Sequence, residues 1–283
     1  MGSSARIVRL ATLGDPLGLQ PIAEAIFGVG DRRPDWFARK LARECVDPAL
    51  SVVALADDGE APLGYVLVGT PPSRRPAART AGTGVLEIAR GLGLGRALVT
   101  AALAAVAADH GALEVWAEDG REPFWIALGF AVVRSFDTLL AFGRAPAGAM
   151  HLPAATTWEP ATPYHEHQAF LAEAWKRVPA HERGTFELTT PQGAAIVHVA
   201  RENRALAIHR TLVQAREPAR VHAIALAAYA AVLERIPSDV PVVLIGADRV
   251  SSVTASLREQ EWTVVQRGSL VSRSAGQAEG SPR

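Results

Sequence analysis

The chain has little of several features that would reveal a function, and each shortage excludes something. Its 283 residues include one cysteine, Cys45, so an intramolecular disulfide framework and a cysteine-built metal centre are both excluded. We expect Cys45 to be a small, buried apolar residue. Lys and Arg together number 29, as do Asp and Glu, so no overall charge attracts the protein to nucleic acid or to an anionic membrane surface.

Long apolar segments are also missing. Nowhere do about 18 uncharged apolar residues follow one another, and residues 1–6 lead directly into a strand-like segment without the apolar core of an export signal. The sequence therefore predicts a cytoplasmic protein that does not cross a membrane. Its abundance of Ala, Arg, Gly and Pro is typical of a GC-rich bacterial gene.

Two kinds of residue cluster suggest other functions but lack the rest of the required pattern. His165-Glu166-His167 offers metal ligands, yet neighbours on one short helix without a third ligand at useful spacing indicate a surface face. Arg32-Arg33 and Arg74-Arg75 lie in predicted loops without interleaved aromatic residues, so they do not indicate nucleic-acid binding. We expect neither a metal site nor a nucleic-acid partner.

Hydrophobic periodicity and turn residues predict one α+β domain in the first half of the chain. The step Asp58-Gly59 favours a hairpin between two antiparallel strands. The strands are predicted at 5–11, 51–56, 63–68, 83–88, 113–117, 130–134 and 138–142, and the helices at 17–27, 36–43, 96–109 and 123–128.

The second half repeats the later elements of the first half in the same order, which predicts two related domains in tandem. We place the first domain at 1–143, a linker rich in Pro, Gly and Ala at 144–157, the second domain at 158–273 and a disordered tail at 274–283. In the second half, helices are predicted at 165–175, 219–236 and 251–259, and strands at 194–199, 206–213, 241–245 and, as a pair, 262–271.

A glycine-rich turn between a strand and a helix carries the clearest chemical signal. It reads Arg90-Gly91-Leu92-Gly93-Leu94-Gly95-Arg96, and such a turn brings unpaired backbone N–H groups and the positive end of a helix dipole to one point. The glycines let a pyrophosphate approach the backbone, and Arg90 and Arg96 add charge-assisted donors. Dinucleotide-binding proteins place a similar pattern in an N-terminal βαβ unit, whereas here it follows several strands.

Two motifs together resemble the GCN5-related N-acetyltransferases, the GNAT family. The residues from Arg90 to Gly95 satisfy that family's pyrophosphate loop. Phe124-Trp125-Ile126-Ala127-Leu128-Gly129-Phe130 is similar to its second element, with Trp125 in place of the usual Tyr. The close resemblance covers residues 63–142 and implies a mixed, V-splayed central sheet with flanking helices. The internal repeat predicts a second such sheet in the second half.

The resemblance implies that acetyl-CoA, or another acyl-CoA, binds in the splay. Backbone groups of the strand would pair with the pantetheine arm, the loop would hold the pyrophosphate, and the aromatic side chain of the second motif would pack against the arm or the acceptor. The implied cofactor-binding residues are Leu86, Glu87, Ile88, Arg90, Gly91, Leu92, Gly93, Leu94, Gly95, Arg96, Ala97 and Trp125.

Three positions depart from the family pattern. Trp125 has no ionisable proton, so the usual Tyr acid is missing from its place. Only Ala89 separates the predicted strand end at Ile88 from Arg90, where the family commonly has several residues. Glu118 stands about where many members carry an Asn that contacts the cofactor arm.

The family's direct acyl transfer to an amine needs a route for proton removal, because a lysine-like amine is mostly protonated at neutral pH. Glu87, on the strand that would line the splay, is the first candidate for the catalytic base, and Asp119 is the second. The alternative is that Glu87 points to solvent or pairs with an arginine.

The second half lacks the phosphate-binding pattern at the corresponding position. It reads Gln214-Ala215-Arg216-Glu217-Pro218-Ala219-Arg220-Val221, without glycine. Glu217 would repel a phosphate, and Pro218 has no backbone donor. We expect a degenerate copy that does not bind CoA and that shapes the acceptor cleft or a dimer interface, in a monomer or a homodimer.

These patterns favour an acetyl-CoA-dependent N-acetyltransferase that acts on the primary amine of a small molecule. A protein lysine or N-terminus is an alternative acceptor, and O-acylation or a longer acyl chain stays open. The other class of function is a non-catalytic acyl-CoA-binding or regulatory protein, for which the missing Tyr is the main argument. The sequence does not name the acceptor.

Overall fold

The computed structural model describes residues 5–28, 30, 33–56, 61–71, 77–154 and 174–274. Several predictions about sequence segments therefore lie outside the described residues. They concern the hairpin step Asp58-Gly59, the arginines Arg32, Arg74 and Arg75, the cluster His165-Glu166-His167, the helix at 165–175 except for its last two residues, the linker residues 155–157 and the tail from residue 275.

The chain forms two compact units whose boundaries lie inside strands. The first unit comprises residues 1–133 and 270–283, and the second comprises residues 134–269. The sequence instead predicted that the first domain ends at residue 143 and that the second domain begins at residue 158. Residues 144–154 have no helix or strand apart from an isolated bridge between Ala145 and Pro237, in keeping with their linker-like composition.

The first unit has a mixed sheet in the order β1-β2-β3-β4-β5, with residues of β11 from Leu270 onward also in this unit. Its neighbouring strands are antiparallel except for β4 and β5, which are parallel. The strands are β1 Arg6–Arg9, β2 Val52–Leu55, β3 Pro62–Gly69, β4 Ala77–Val85 and β5 Ala112–Glu118, and the helices are α1 Gln20–Phe27, α2 Trp36–Arg43, α3 Leu94–Val106 and α4 Glu122–Ile126.

Helices cover both faces of this sheet, which explains why β3 is buried from Gly64 to Gly69. On one face, Leu98 and Val99 of α3 pack with Val66 and Val115. On the other face, α1 and α2 form a separate core with the sheet. The second core includes Phe37, a fully buried residue of α2.

The parallel strands β4 and β5 pair only at their beginnings. The register runs from Ala77 opposite Ala112 to Arg79 opposite Glu114, and no further pair joins the two strands although both continue. Beyond Arg79 the strands are splayed, as the resemblance implied. A bulge at Ala81 also shifts the register between β4 and β3, and bulges of this kind bend a strand.

The second unit repeats this arrangement. Its strand order is β6-β10-β9-β8-β7, and β9 and β10 are parallel over three pairs from Leu206 to Ile208 before they stop pairing. The predicted structural repeat is thus confirmed. The elements are β6 Ala131–Phe142, β7 Arg183–Thr190, β8 Gly193–Glu202, β9 Ala205–Ala215, α5 Val221–Leu233, β10 Pro241–Asp248, α6 Ser252–Glu259 and β11 Thr263–Ser274.

Three strand predictions were wrong in their bounds. The predicted strand at 83–88 is β4, which begins at Ala77 and ends at Val85. The predicted pair at 130–134 and 138–142 is the single strand β6, and the pair at 262–271 is the single strand β11. Asp137 falls between the two predicted strands, but it is fully buried within β6, where Arg249 and Arg258 bind its carboxylate.

No helix among the described residues is long and apolar enough to cross a membrane. Within the same residues, no three His, Cys, Asp or Glu side chains are grouped so that they could hold a metal ion.

Candidate functional site

Helix α3 begins at the open end of the first unit's splay. Gly93 is its N-cap residue, in the left-handed conformation, and no side chain caps the helix. The amide of Ala97 donates to the carbonyl of Gly93 at 3.1 Å. The amides of Leu94, Gly95 and Arg96 precede the first possible intrahelical bond, so they point out of the helix start together with the positive end of its dipole.

The two glycines before the helix are required by backbone conformation. Gly91 and Gly93 both have φ +78°, a value that favours glycine strongly. A Cβ placed on either residue would meet no atom within 4 Å, so the space in front of the backbone is open. Gly95 differs, because its Cβ would lie 3.5 Å from Cζ of Phe124. The loop therefore presents a bare backbone that an anion can approach.

The side chains around this loop are mostly exposed. Arg90 and Arg96 are exposed cationic groups, and the Arg90 Nε donates to the carbonyl of Val85 at 3.1 Å. Ile88 and Leu92 are 84% and 69% exposed, which is unusual for apolar side chains of their size. Leu94 is buried, because it anchors the helix in the core, whereas Ala97 is exposed.

The segment between β4 and this loop differs from the prediction. The amide of Leu86 donates to the carbonyl of Leu63 at 2.9 Å, and Glu87–Ala89 form a turn of 3₁₀ helix. Leu86 thus continues the pairing of β4 with β3, whereas Glu87 and Ile88 are not strand residues as predicted. The role of these three residues in cofactor binding stays a prediction. The edge that continues beyond the paired region is 80–85. Residues 86–89 link it to Arg90, so the link is longer than the single residue predicted.

The two predicted base candidates lie at the rim of the splay. Glu87 is exposed in the 3₁₀ turn, and Asp119 is exposed in the turn that follows β5. Glu118, the last residue of β5, is exposed as well. Glu87 was predicted as a base because of a strand position, and the structure places it after the strand. Its role as a base stays a prediction, as does that of Asp119.

Trp125 lies in the hydrophobic core of the first unit. It is 6% exposed, and its ring meets those of Phe124 and Phe130 edge-on at centroid distances of 5.1 and 5.2 Å. Its packing is therefore largely internal. The residue beside the loop is Phe124, which is 40% exposed and contacts the position of Gly95. Sequence reasoning missed Phe124 although it opens the aromatic motif.

A buried ion pair marks the point where β4 and β5 diverge. Arg79 Nη2 lies 3.2 Å from Glu114 Oε2, and the two side chains are 4% and 11% exposed. The Arg79 guanidinium also lies 5.5 Å from the ring centroid of Trp116. Leu113 and Val115 face the α3 core, so Glu114 and Trp116 face the other side of the sheet. The sequence did not reveal this cluster, because Arg79 lies between the strands predicted at 63–68 and 83–88.

The splay has features that suit a phosphate-bearing ligand with an extended amide chain. The loop offers helix-start amides, two open glycines and two exposed arginines. On β4 beyond the paired region, Oγ1 of Thr83 is buried and has no hydrogen-bond partner among the residues that the structure describes. A buried polar atom of this kind is costly unless a ligand or water satisfies it.

The second unit lacks such a cradle at the corresponding helix start. Pro218–Arg220 form a 3₁₀ turn before α5, and Glu217 lies 3.8 Å from Arg220 in an ion pair. None of the residues 205–233, all of which are described, has a positive φ. The missing glycines and the carboxylate both disfavour a pyrophosphate at this place.

Comparisons with known proteins agree with this geometry. Residues 19–130 match the model of the acetyltransferase (GNAT) family. No curated protein matches the chain. A solved tandem GNAT protein from the clavulanic acid biosynthesis pathway is 17% identical with a TM-score of 0.61, and the alignment covers 98% of this chain and 100% of that one.

Two further structures align over nearly the whole chain. A provisionally assigned acetyltransferase from Pyrococcus horikoshii is 14% identical with a TM-score of 0.61, and 97% of this chain and 90% of that chain are covered. A GCN5-related N-acetyltransferase from Sphaerobacter thermophilus is 17% identical with a TM-score of 0.56, covering 96% of this chain and 95% of that chain. At these identities the likeness concerns the fold.

A mixed sheet that splays beside a glycine-rich helix start defines the N-acetyltransferase fold, and the chain contains this splay twice. Residues 19–130 thus match the GNAT family model, and the whole chain has the fold of solved GNAT proteins, one of them a tandem GNAT protein.

Proposed function

We propose that the protein is an acetyl-CoA-dependent N-acetyltransferase that acts on the primary amine of a small molecule. The observation that carries this proposal is the bare backbone cradle at Gly91 and Gly93, placed at the open end of a splayed sheet in a GNAT unit. When bound, acetyl-CoA supplies an activated acyl group as a thioester. The chain itself must bind the nucleotide, orient the arm and admit the amine.

The loop and the strand edge would bind different parts of the cofactor. The amides that open α3 would hold the pyrophosphate, with Arg90 and Arg96 adding charge. The edge of β4 from Thr80 to Val85 extends over roughly 17 Å at about 3.3 Å per residue, long enough to pair with the amides of an extended arm. The hydroxyl of Thr83 would then gain the hydrogen-bond partner it lacks among the described residues.

The reaction requires a proton balance that the site must accommodate. The amine nitrogen forms a bond to the acyl carbon as the carbon–sulfur bond breaks, so the nitrogen loses a proton and the thiol sulfur gains one. Trp125 cannot donate that proton, and its ring lies in the core. We propose that water reprotonates the sulfur and that a chain of water molecules carries the proton of the amine to Asp119 or Glu87 at the exposed rim.

The second unit contributes no phosphate cradle, so we assign one cofactor site to each chain. We propose that this unit is a degenerate GNAT domain that shapes the acceptor cleft or a contact between copies of the chain. Its splay is kept, while Glu217 and Pro218 replace the features that a pyrophosphate needs.

A non-catalytic acyl-CoA-binding or regulatory protein is the second candidate. The observation that favours it is the core position of Trp125, which leaves no side-chain acid at the place where the family usually has Tyr. Both candidates require the same cradle, so only turnover separates them.

The test is thiol release from acetyl-CoA against a panel of small primary amines, with wild type beside Gly93→Glu. The glutamate adds bulk and negative charge where the pyrophosphate would lie. We expect amine-dependent release that the variant loses by at least about a hundredfold. Tight binding of acetyl-CoA without turnover on any amine would favour the non-catalytic candidate.

A further inference from the structure

The buried pair of Arg79 and Glu114 lies where an acyl group would end. The loop at Gly91–Gly93 fixes the phosphate end of the arm, and the edge of β4 leads from Val85 back to the last paired residues. An arm laid along this edge therefore brings its reactive end next to Arg79 and Glu114. This step rests on the proposed function.

The burial of this pair is costly for a purely structural contact. Removing two charges from water costs several kcal/mol, and apolar residues of similar volume often stabilise a core as well or better. The pair also lies at the end of the paired strand region, on a covered face of the sheet where apolar side chains could stabilise the fold instead. A buried carboxylate at this place is better explained by a ligand that needs it.

Glu114 is the more accessible member of the pair. Its side chain is 11% exposed against 4% for Arg79, and Trp116 lies two residues further along the same face of β5. The face is the one opposite α3, and on it the carboxylate and the aromatic ring follow one another along β5. A carboxylate beside an indole ring suits an ammonium group attached to an apolar or planar skeleton.

We propose that Glu114 binds the ammonium group of the acceptor and that Arg79 is a positioning residue that fixes the Glu114 carboxylate. Trp116 packs against the carbon skeleton next to the amine. The acceptor is accordingly a small cationic primary amine with an apolar or planar neighbouring group. Glu114 thus adds a recognition residue that neither Glu87 nor Asp119 supplies, because both of these lie at the exposed rim.

The first test separates the Michaelis constants of the two substrates. With the best amine of the panel, Glu114→Gln keeps the shape of the side chain and removes its charge. We expect the KM for the amine to rise about tenfold or more, because a charge-assisted hydrogen bond is lost, while the KM for acetyl-CoA changes less than about twofold. An unchanged amine KM would overturn the proposal.

The second test distinguishes recognition from a structural role. The double variant Arg79→Glu/Glu114→Arg restores a buried pair but moves the carboxylate to the other strand. We expect its thermal midpoint to recover relative to Glu114→Gln while the amine KM stays raised. Recovery of both quantities would show that the pair only stabilises the fold. If the double variant does not fold, Glu114→Asp replaces it, with an amine KM expected between those of wild type and Glu114→Gln.

A third measurement needs no turnover. The thermal midpoint of the wild-type protein should rise with the same amine and should not rise with the alcohol of the same skeleton, and Glu114→Gln should abolish the difference. Equal shifts with amine and alcohol would contradict the proposal. If the wild type turns over none of the amines, the proposed function is contradicted. If Glu114→Gln turns over the amine with an unchanged amine KM, only this inference is contradicted.

Discussion

Arg79 and Glu114 form the last rung between β4 and β5, and their side chains meet at 3.2 Å between Nη2 and Oε2. Before this rung the two parallel strands are paired, and after it they diverge. The ion pair therefore lies at the closed end of the splay, while Gly93 lies at its open end, and the distance along β4 between them sets the length of ligand that fits.

Trp125 should matter for stability more than for chemistry. Its ring packs between Phe124 and Phe130, so Trp125→Ala is expected to lower the free energy of unfolding by about 3–5 kcal/mol. Trp125→Phe keeps an aromatic ring in the core and should cost less than half of that. Urea unfolding measures both variants.

Turnover of Trp125→Phe provides the control for this assignment. We expect the folded variant to keep its rate within a few-fold of wild type. A stable Trp125→Phe protein that has lost more than about a hundredfold in rate would show that the indole acts directly on a substrate.

Asp137 should be one of the most sensitive positions of the second unit. Its carboxylate is fully buried, lies 3.0 Å from Arg249 Nε and also binds Arg258. Asp137→Asn removes the charge that compensates both arginines and should cost about 3–5 kcal/mol in unfolding free energy.

The matched control is Asp248→Asn in the same unit. Asp248 lies 3.8 Å from Arg134 Nε, and both side chains are partly exposed, so the loss should stay below about 1 kcal/mol. Thermal unfolding of the two variants compares them directly. Equal losses would contradict the special role given to the buried carboxylate.

Alkaline pH should weaken the protein through Tyr229. Burial raises the pKa of this phenol from 10.0 to about 12. Between these values the unfolded chain releases the proton and the folded chain keeps it, so the unfolded state binds fewer protons and stability falls as pH rises. This contribution of Tyr229 to the free energy of unfolding is fully present below pH 10. A loss on the order of 2–3 kcal/mol is expected by pH 12.

Tyr229→Phe isolates this effect. The unfolding free energy of wild type minus that of the variant should be constant from neutral pH to about pH 9.5 and should then decline. Chemical unfolding at a series of pH values gives the difference. A constant difference up to pH 12 would contradict the raised pKa.

The strongest local signals predicted much of the fold. The helix at 36–43 matches α2, and the turn from Arg90 to Arg96 was placed between a strand and α3 because glycines and helix periodicity give direct signals. The repeat was visible because both halves carry the same succession of elements. β7 was missed, since six of its eight residues are Arg, Gly, Thr or Glu and give little apolar signal.

The errors in the candidate site came from contacts between segments distant in sequence. The strand ends before Glu87 because the chain turns into a 3₁₀ helix there, after a last hydrogen bond between Leu86 and Leu63, more than twenty positions earlier in the chain. Arg79 looked like a loop residue in a Pro-rich stretch until Glu114 and Trp116 gave it a buried environment. Local periodicity carries no information on such partners, so a buried ion pair could not be recognised.

Acetyl-CoA binding measured by calorimetry tests the central claim, that each chain has one phosphate cradle and that it lies at Gly93. The variants are Gly93→Glu and Gly14→Glu, because both glycines have φ +78° and open space at Cβ, while Gly14 lies outside the cradle. We predict one site per chain in wild type and in Gly14→Glu, and at least about a hundredfold weaker binding in Gly93→Glu. Two sites per chain, or equal affinity in the two variants, would contradict the account.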